Sequence, residues 1–195
     1  IYDGHHHGYM LTNAIDFING RLPYKEIFIQ YGIFTTLIHV FALKIFSQNL
    51  IAINIITCLL YSLTILLISL IIIKKTSPIY GLLSLLIIFF NHPIPWLPWS
   101  NYYALFFIIL GFFLLLDLKK ENIFLSGIFF SLVCLSRETY FVVISSIIFL
   151  IIIYLIFQKK NKLIFSLILG FAIPYAIFFI YLLYNNIFYD WISYL

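Results

Sequence analysis

From Leu50 to Tyr184 the chain is almost continuous apolar sequence, and lysine interrupts it. Lys74 and Lys75, Lys119 and Lys120, and Lys159, Lys160 and Lys162 occupy three short breaks and supply seven of the eleven Lys and Arg residues. Two apolar runs separate each break from the next, so if every run crosses a membrane all three breaks share one side. Short positively charged loops stay in the cytoplasm, which sets the expected orientation. The polar segment 1–49 is then predicted to face outward.

Charged residues make up 9% of the chain and hydrophobic ones 64%, with a mean hydropathy of +1.11. A soluble domain carries about 25% charged residues, so the class is an integral membrane protein. Helices and closed barrels alone satisfy the backbone in lipid. Runs without period-2 alternation select helices. The predicted fold is therefore an all-α polytopic bundle, with six spans at about 50–73, 78–91, 101–117, 122–136, 138–157 and 163–184. Residues 185–195 return to the outer side. The net charge of +4 follows from the lysine breaks and gives no reason to expect nucleic acid. Cys58 and Cys134 lie inside apolar runs and read as small core residues, not a disulfide. An outward first loop requires an earlier crossing, so the chain is expected to be truncated at both ends, with at least one helix missing before Ile1.

Within 1–49 two short helices are predicted to lie on the membrane surface. Residues 9–19 place Met10, Ala14, Phe17 and Ile18 on one face, and Gly20 stands where a helix-ending residue belongs. Residues 27–46 carry a stripe of Phe34, Leu37, Ile38, Phe41 and Ile45. Their length of 20 residues would also allow a crossing. The load of Gln30, Gly32, Thr35, Thr36, His39 and Lys44, together with loop parity, favours the surface position.

Chemistry-bearing residues gather at the expected outer side. Asp3-Gly4-His5-His6-His7-Gly8 sets a carboxylate beside three imidazoles in a glycine-flanked loop. Such a group can act as a general base, hold a histidine tautomer or bind a metal, with His5 and His7 the candidate ligands of a divalent ion. Glu26, after Pro23-Tyr24-Lys25, is either a second carboxylate of the site or a partner of Lys25 or Lys44. Asp16 reads as merely solvated. Arg137 and Glu138 interrupt apolar sequence at the outer ends of two spans, where charge is costly. They either pair with each other or serve a site, with the Arg137 fork suited to phosphate. The loop 91–101, with three prolines, Trp96 and Trp99, is predicted to be stiff; those indoles, with Tyr102 and Tyr103, suit the headgroup belt. Asn54, Thr57, Cys58, Tyr61 and Thr64 form a stripe that reads as helix packing, as do Ser166, Gly170 and Pro174.

The order of Asp3 with its histidines, a short helix ending at Gly20, Pro23-Tyr24-Lys25-Glu26, Tyr31-Gly32 and Lys44-Ile45-Phe46 resembles the first outer loop of GT-C fold glycosyltransferases. These polytopic enzymes are related to protein mannosyltransferases and the aminoarabinose transferase of lipid A. The resemblance implies transfer of a sugar, with inversion, from a polyprenyl-phosphate donor to a lipid, glycan or protein acceptor at the outer face of a bacterial inner membrane. It implies Asp3 and Glu26 as catalytic carboxylates, and His5, His6, Tyr24, Tyr31, Arg137 and Glu138 as substrate-binding residues. Two departures stand out: Ile33 follows Tyr31-Gly32 where many relatives have Pro, and 91–101 lacks an acidic residue. A transporter or lipid flippase is the first rival, although no repeat of the kind transporters carry is visible. A non-catalytic membrane subunit is the second.

Overall fold

The computed structural model describes residues 4–91 and 98–194, with side chains from His7 onward. Among these residues the chain is helical, without strands. In order come α1 (Gly4–Ile18), α2 (Ile33–Ile45), α3 (Leu50–Lys75), α4 (Pro78–Asn91), α5 (Ser100–Leu115), α6 (Lys120–Ser136), a 3-10 turn (Glu138–Tyr140), α7 (Phe141–Phe157), α8 (Asn161–Tyr184) and α9 (Phe188–Tyr194). Among the described helices, α3, α7 with its leading turn, and α8 are long and apolar enough to cross a membrane.

Local chemistry sets the ends. The Asn49 side chain accepts the Ala52 N–H at 3.1 Å and starts α3, and Lys74 and Lys75 complement the dipole in its last turn. Gly20, at φ 87°, ends α1 with Gly20 N–H donating to Phe17 and Arg21 N–H to Asp16, a Schellman pair of bonds. Lys159 and Asn186 end α7 and α8 in the same way, each with a φ of 55°.

Helix α6 is the hub, packing on α2, α5, α7 and α8. Its approach to α8 depends on missing side chains. A Cβ at Gly170 would stand 2.0 Å from the Phe124 carbonyl oxygen, and one at Gly127 would stand 2.3 Å from that of Leu167. Small residues let helices pack closely where lipid gives no hydrophobic drive. Ser126 Oγ donates to Gly111 O at 2.8 Å and ties α6 to α5. By contrast α4 buries only Gly81 and packs on α3, where Ser69 Oγ donates to the Gly81 carbonyl.

The two ends of the bundle differ. At one, Lys74 Nζ lies 3.6 Å from Asp117 Oδ2, and Leu118 and Tyr154 border a shared cavity, so the lysine-bearing turns gather there. At the other, Ala14 of α1, Val40 and Leu43 of α2 and Ala52 and Ile53 of α3 form one buried cluster.

Several expectations change here. Gly4–Gly8 forms the first turn of α1 instead of a glycine-freed loop. Helix α2 starts at Ile33, not 27, and its 13 residues reach about 20 Å, short of the ~30 Å hydrocarbon core. Its apolar stripe is buried only in part. Thr35, Thr36 and His39 are buried against protein, while Leu37, Phe41 and Ile45 of the apolar stripe point outward. Asp16 is not merely solvated: its Oδ2 lies 3.2 Å from Arg21 Nη1.

Candidate functional site

The break between α6 and α7 organises the end opposite the three lysine turns. Arg137 leaves the helix with extended backbone, φ −152° and ψ 107°. The freed Ser136 carbonyl accepts the Gly32 N–H at 3.0 Å and the Thr35 hydroxyl at 2.8 Å, so the start of α2 caps the end of α6. Gly32 is required, because a Cβ there would meet the Leu135 carbonyl oxygen at 1.9 Å.

That docking carries Tyr31 to Arg137. The guanidinium carbon lies 5.5 Å from the Tyr31 ring centroid and 5.9 Å from that of Tyr140, within cation–π range. Arg137 Nη1 donates to Asn101 Oδ1 at 2.6 Å and Nε to Thr139 Oγ1 at 3.1 Å. No carboxylate among the described residues pairs with it. Arg137 and Glu138 do not neutralise one another; each takes its own partners. A guanidinium fixed by neutral groups keeps its charge for an anion.

Glu138 faces the other way, toward Tyr24. The Tyr24 hydroxyl donates to Glu138 Oε1 over a long 3.4 Å. Tyr24 is buried with φ at 67°, left-handed backbone that costs an L-residue roughly 1–3 kcal/mol. The loop that holds it there is closed by Tyr24 N–H to Ile27 O, Ile27 N–H to Leu22 O, and Leu22 N–H to Glu26 Oε2 at 2.7 Å. Burial, and then the neighbouring Glu138 charge, push the Tyr24 phenol above its ordinary range, so it stays a donor. The Glu26 carboxylate is engaged in shaping this loop.

Helix α1 meets the same loop. Tyr9 OH and Asn13 Nδ2 both donate to the Phe28 carbonyl, the latter at 2.8 Å. Tyr9, Asn13, Tyr31, Thr35 and His39 border a polar cleft of about 10 Å³, room for about one water. His7 is buried. Asp3 and the side chains of His5 and His6 lie outside the described residues, as does 92–97 of the Trp-Pro loop. Among the described residues no three His, Cys, Asp or Glu side chains converge to hold a metal.

One polar chain was legible only at Thr57, a member of the stripe read as helix packing; nothing in residue spacing pointed to its partners. His39 Nε2 and the Tyr103 hydroxyl are 2.8 Å apart, and Tyr103 OH is 2.6 Å from Thr57 Oγ1, joining α2, α5 and α3. The Pro98 carbonyl lies beside the same imidazole. Tyr103, expected in the headgroup belt, is fully buried. Desolvation lowers the His39 imidazole from 6.5 to about 3, so it is neutral here.

Two apolar cavities flank Leu135 and Phe178. One, of about 700 Å³, lies among α6, α7, α8 and α9, with Glu138 at its wall. The other, of about 470 Å³, lies between α2, α6 and α8. Against known proteins, the chain matches no family model, no curated protein and no solved structure.

Proposed function

We propose that this protein is an integral membrane glycosyltransferase that moves a sugar from a polyprenyl-phosphate donor to an acceptor at the outer membrane face, inverting the anomeric carbon. The lysine-bearing end is cytoplasmic in this reading, and α1 and α2 lie at the outer surface. Six helices, from α3 through α8, cross the membrane in this reading, the shorter ones such as the 14-residue α4 by borrowing flanking loop or thinning the bilayer locally.

Arg137 is the observation that carries the proposal. It is a cation without a carboxylate partner among the described residues, fixed by Asn101 and Thr139. The Tyr31-Gly32 segment of the N-terminal loop is docked against it. In the proposed reaction Asp3 takes the proton of the acceptor hydroxyl. The acceptor oxygen bonds the anomeric carbon, and the carbon–oxygen bond to phosphate breaks on the opposite face. The departing phosphate keeps the bonding electrons and is met by Arg137.

Sugar transfer from a polyprenyl-phosphate donor, measured on the full-length protein in lipid nanodiscs, tests this. Arg137→Gln is expected to weaken donor use about tenfold to a hundredfold, the value of hydrogen bonds to a charged group. Asp3→Asn is expected to abolish transfer at unchanged expression. Normal turnover in Asp3→Asn removes Asp3 from the mechanism. An absence of transfer with all sugar donors removes the transferase reading.

A further inference from the structure

The cavity of about 700 Å³ is apolar on nearly all its wall, bordered by Cys134, Ala172, Tyr175, Phe179 and Trp191. The polar exception is the Glu138 carboxylate, which is an odd group to set against hydrocarbon. Ionised, it accepts and cannot donate. Its protein partner, Tyr24 OH, sits at a long 3.4 Å and leaves acceptor capacity over. The Trp191 indole N–H reaches toward the same carboxylate, yet its buried nitrogen closes no hydrogen bond of normal geometry. A carboxylate with acceptor capacity to spare therefore stands at one end of a greasy chamber sized for a substantial ligand.

We propose that this cavity binds a long-chain lipid alcohol, whose chain fills the space along α8 and whose hydroxyl donates to Glu138. A hydroxyl suits the carboxylate because it supplies the donor that Glu138 lacks and brings no charge into the apolar wall. A phosphate does not, since its charge would meet Glu138 at close range. Arg137, held on Asn101 and Thr139, is the place for that anion. Resting on the transferase reading, this occupant is the acceptor and not the donor. The binding itself depends only on the cavity.

The test uses the full chain in nanodiscs and a long-chain fatty alcohol carrying a mid-chain diazirine. Photolysis is expected to label the cavity wall on α8. Unlabelled alcohol should compete, and the alkyl phosphate of equal chain length should compete at least about tenfold less well. Glu138→Leu is expected to cut labelling about tenfold, and Ala172→Trp to remove it by filling the space. The competition ratio is read on the unaltered protein, so it decides even where a variant does not fold. Equal competition by the phosphate, or labelling elsewhere, overturns the proposal. Sugar transfer measured on the same preparation separates the two ideas. Labelling without transfer keeps the cavity assignment and sinks the transferase; transfer without labelling does the reverse.

Discussion

Gly32 and Tyr24 show how single residues set this site. Gly32 has no side chain because the α6 carbonyls occupy the space, and Tyr24 holds left-handed backbone so that its hydroxyl reaches Glu138. Gly32→Ala is expected to part α2 from α6 and cost about 3 kcal/mol or more, since backbone at 1.9 Å cannot yield as a side-chain tip can. Thermal unfolding in detergent measures this. His39 gives a pH dependence of definite sign. Its folded value of about 3 lies below the ordinary 6.5, so the unfolded chain binds more protons between those values. Stability is whole above about pH 6.5 and falls with pH through that window, by up to about 1.4 kcal/mol per unit. His39→Gln is expected to flatten the slope in chemical unfolding at stepped pH; an unchanged slope assigns the dependence to other groups.

Between elements, the decisive contact is α6 on α8. Gly127 and Gly170 let backbone meet backbone, so Gly170→Leu is expected to force the helices apart and leave little folded protein in size-exclusion chromatography. Gly8→Ala is the matching control: nothing lies within 4 Å of its Cβ position, and Ala favours a helix by about 1 kcal/mol. The spacing of Ser166, Gly170 and Pro174 reads as a small face, and Gly170 of that face meets α6. That partner was not legible, because spacing says which face is small and not what approaches it. In helix α2 the apolar stripe was legible and the partners of its polar residues were not. Its stripe of Phe34, Leu37, Ile38, Phe41 and Ile45 reads as the face of a helix lying on the membrane. With lipid outside, Leu37, Phe41 and Ile45 turn outward, and Thr35, Thr36 and His39 find hydrogen bonds inside.

For the molecule as a whole, opposite ends of the bundle carry the lysine turns and the loop residues around Arg137. Asn19 and Gln158 are exposed on the two, and Cys58 and Cys134 are the chain's own cysteines. In a Cys58→Ala, Cys134→Ala background, Asn19→Cys is expected to react with an impermeant maleimide on intact cells, and Gln158→Cys only after permeabilisation. The opposite pattern inverts the orientation.

Composition and run length by themselves determined the all-helical membrane class. Lipid demands internally bonded backbone, and apolar runs cut by lysine pairs leave few other solutions. Gly20 marked the end of α1 because a Schellman turn needs left-handed backbone, a local requirement. Tertiary structure decided the rest. It separated Arg137 from Glu138, sent one to Asn101 and the other to Tyr24, closed the Glu26 loop and linked His39 to Tyr103 and Thr57. These partners lie up to 114 positions apart in the chain. Hydrogen bonds act over about 3 Å, and only packing brings such groups that close.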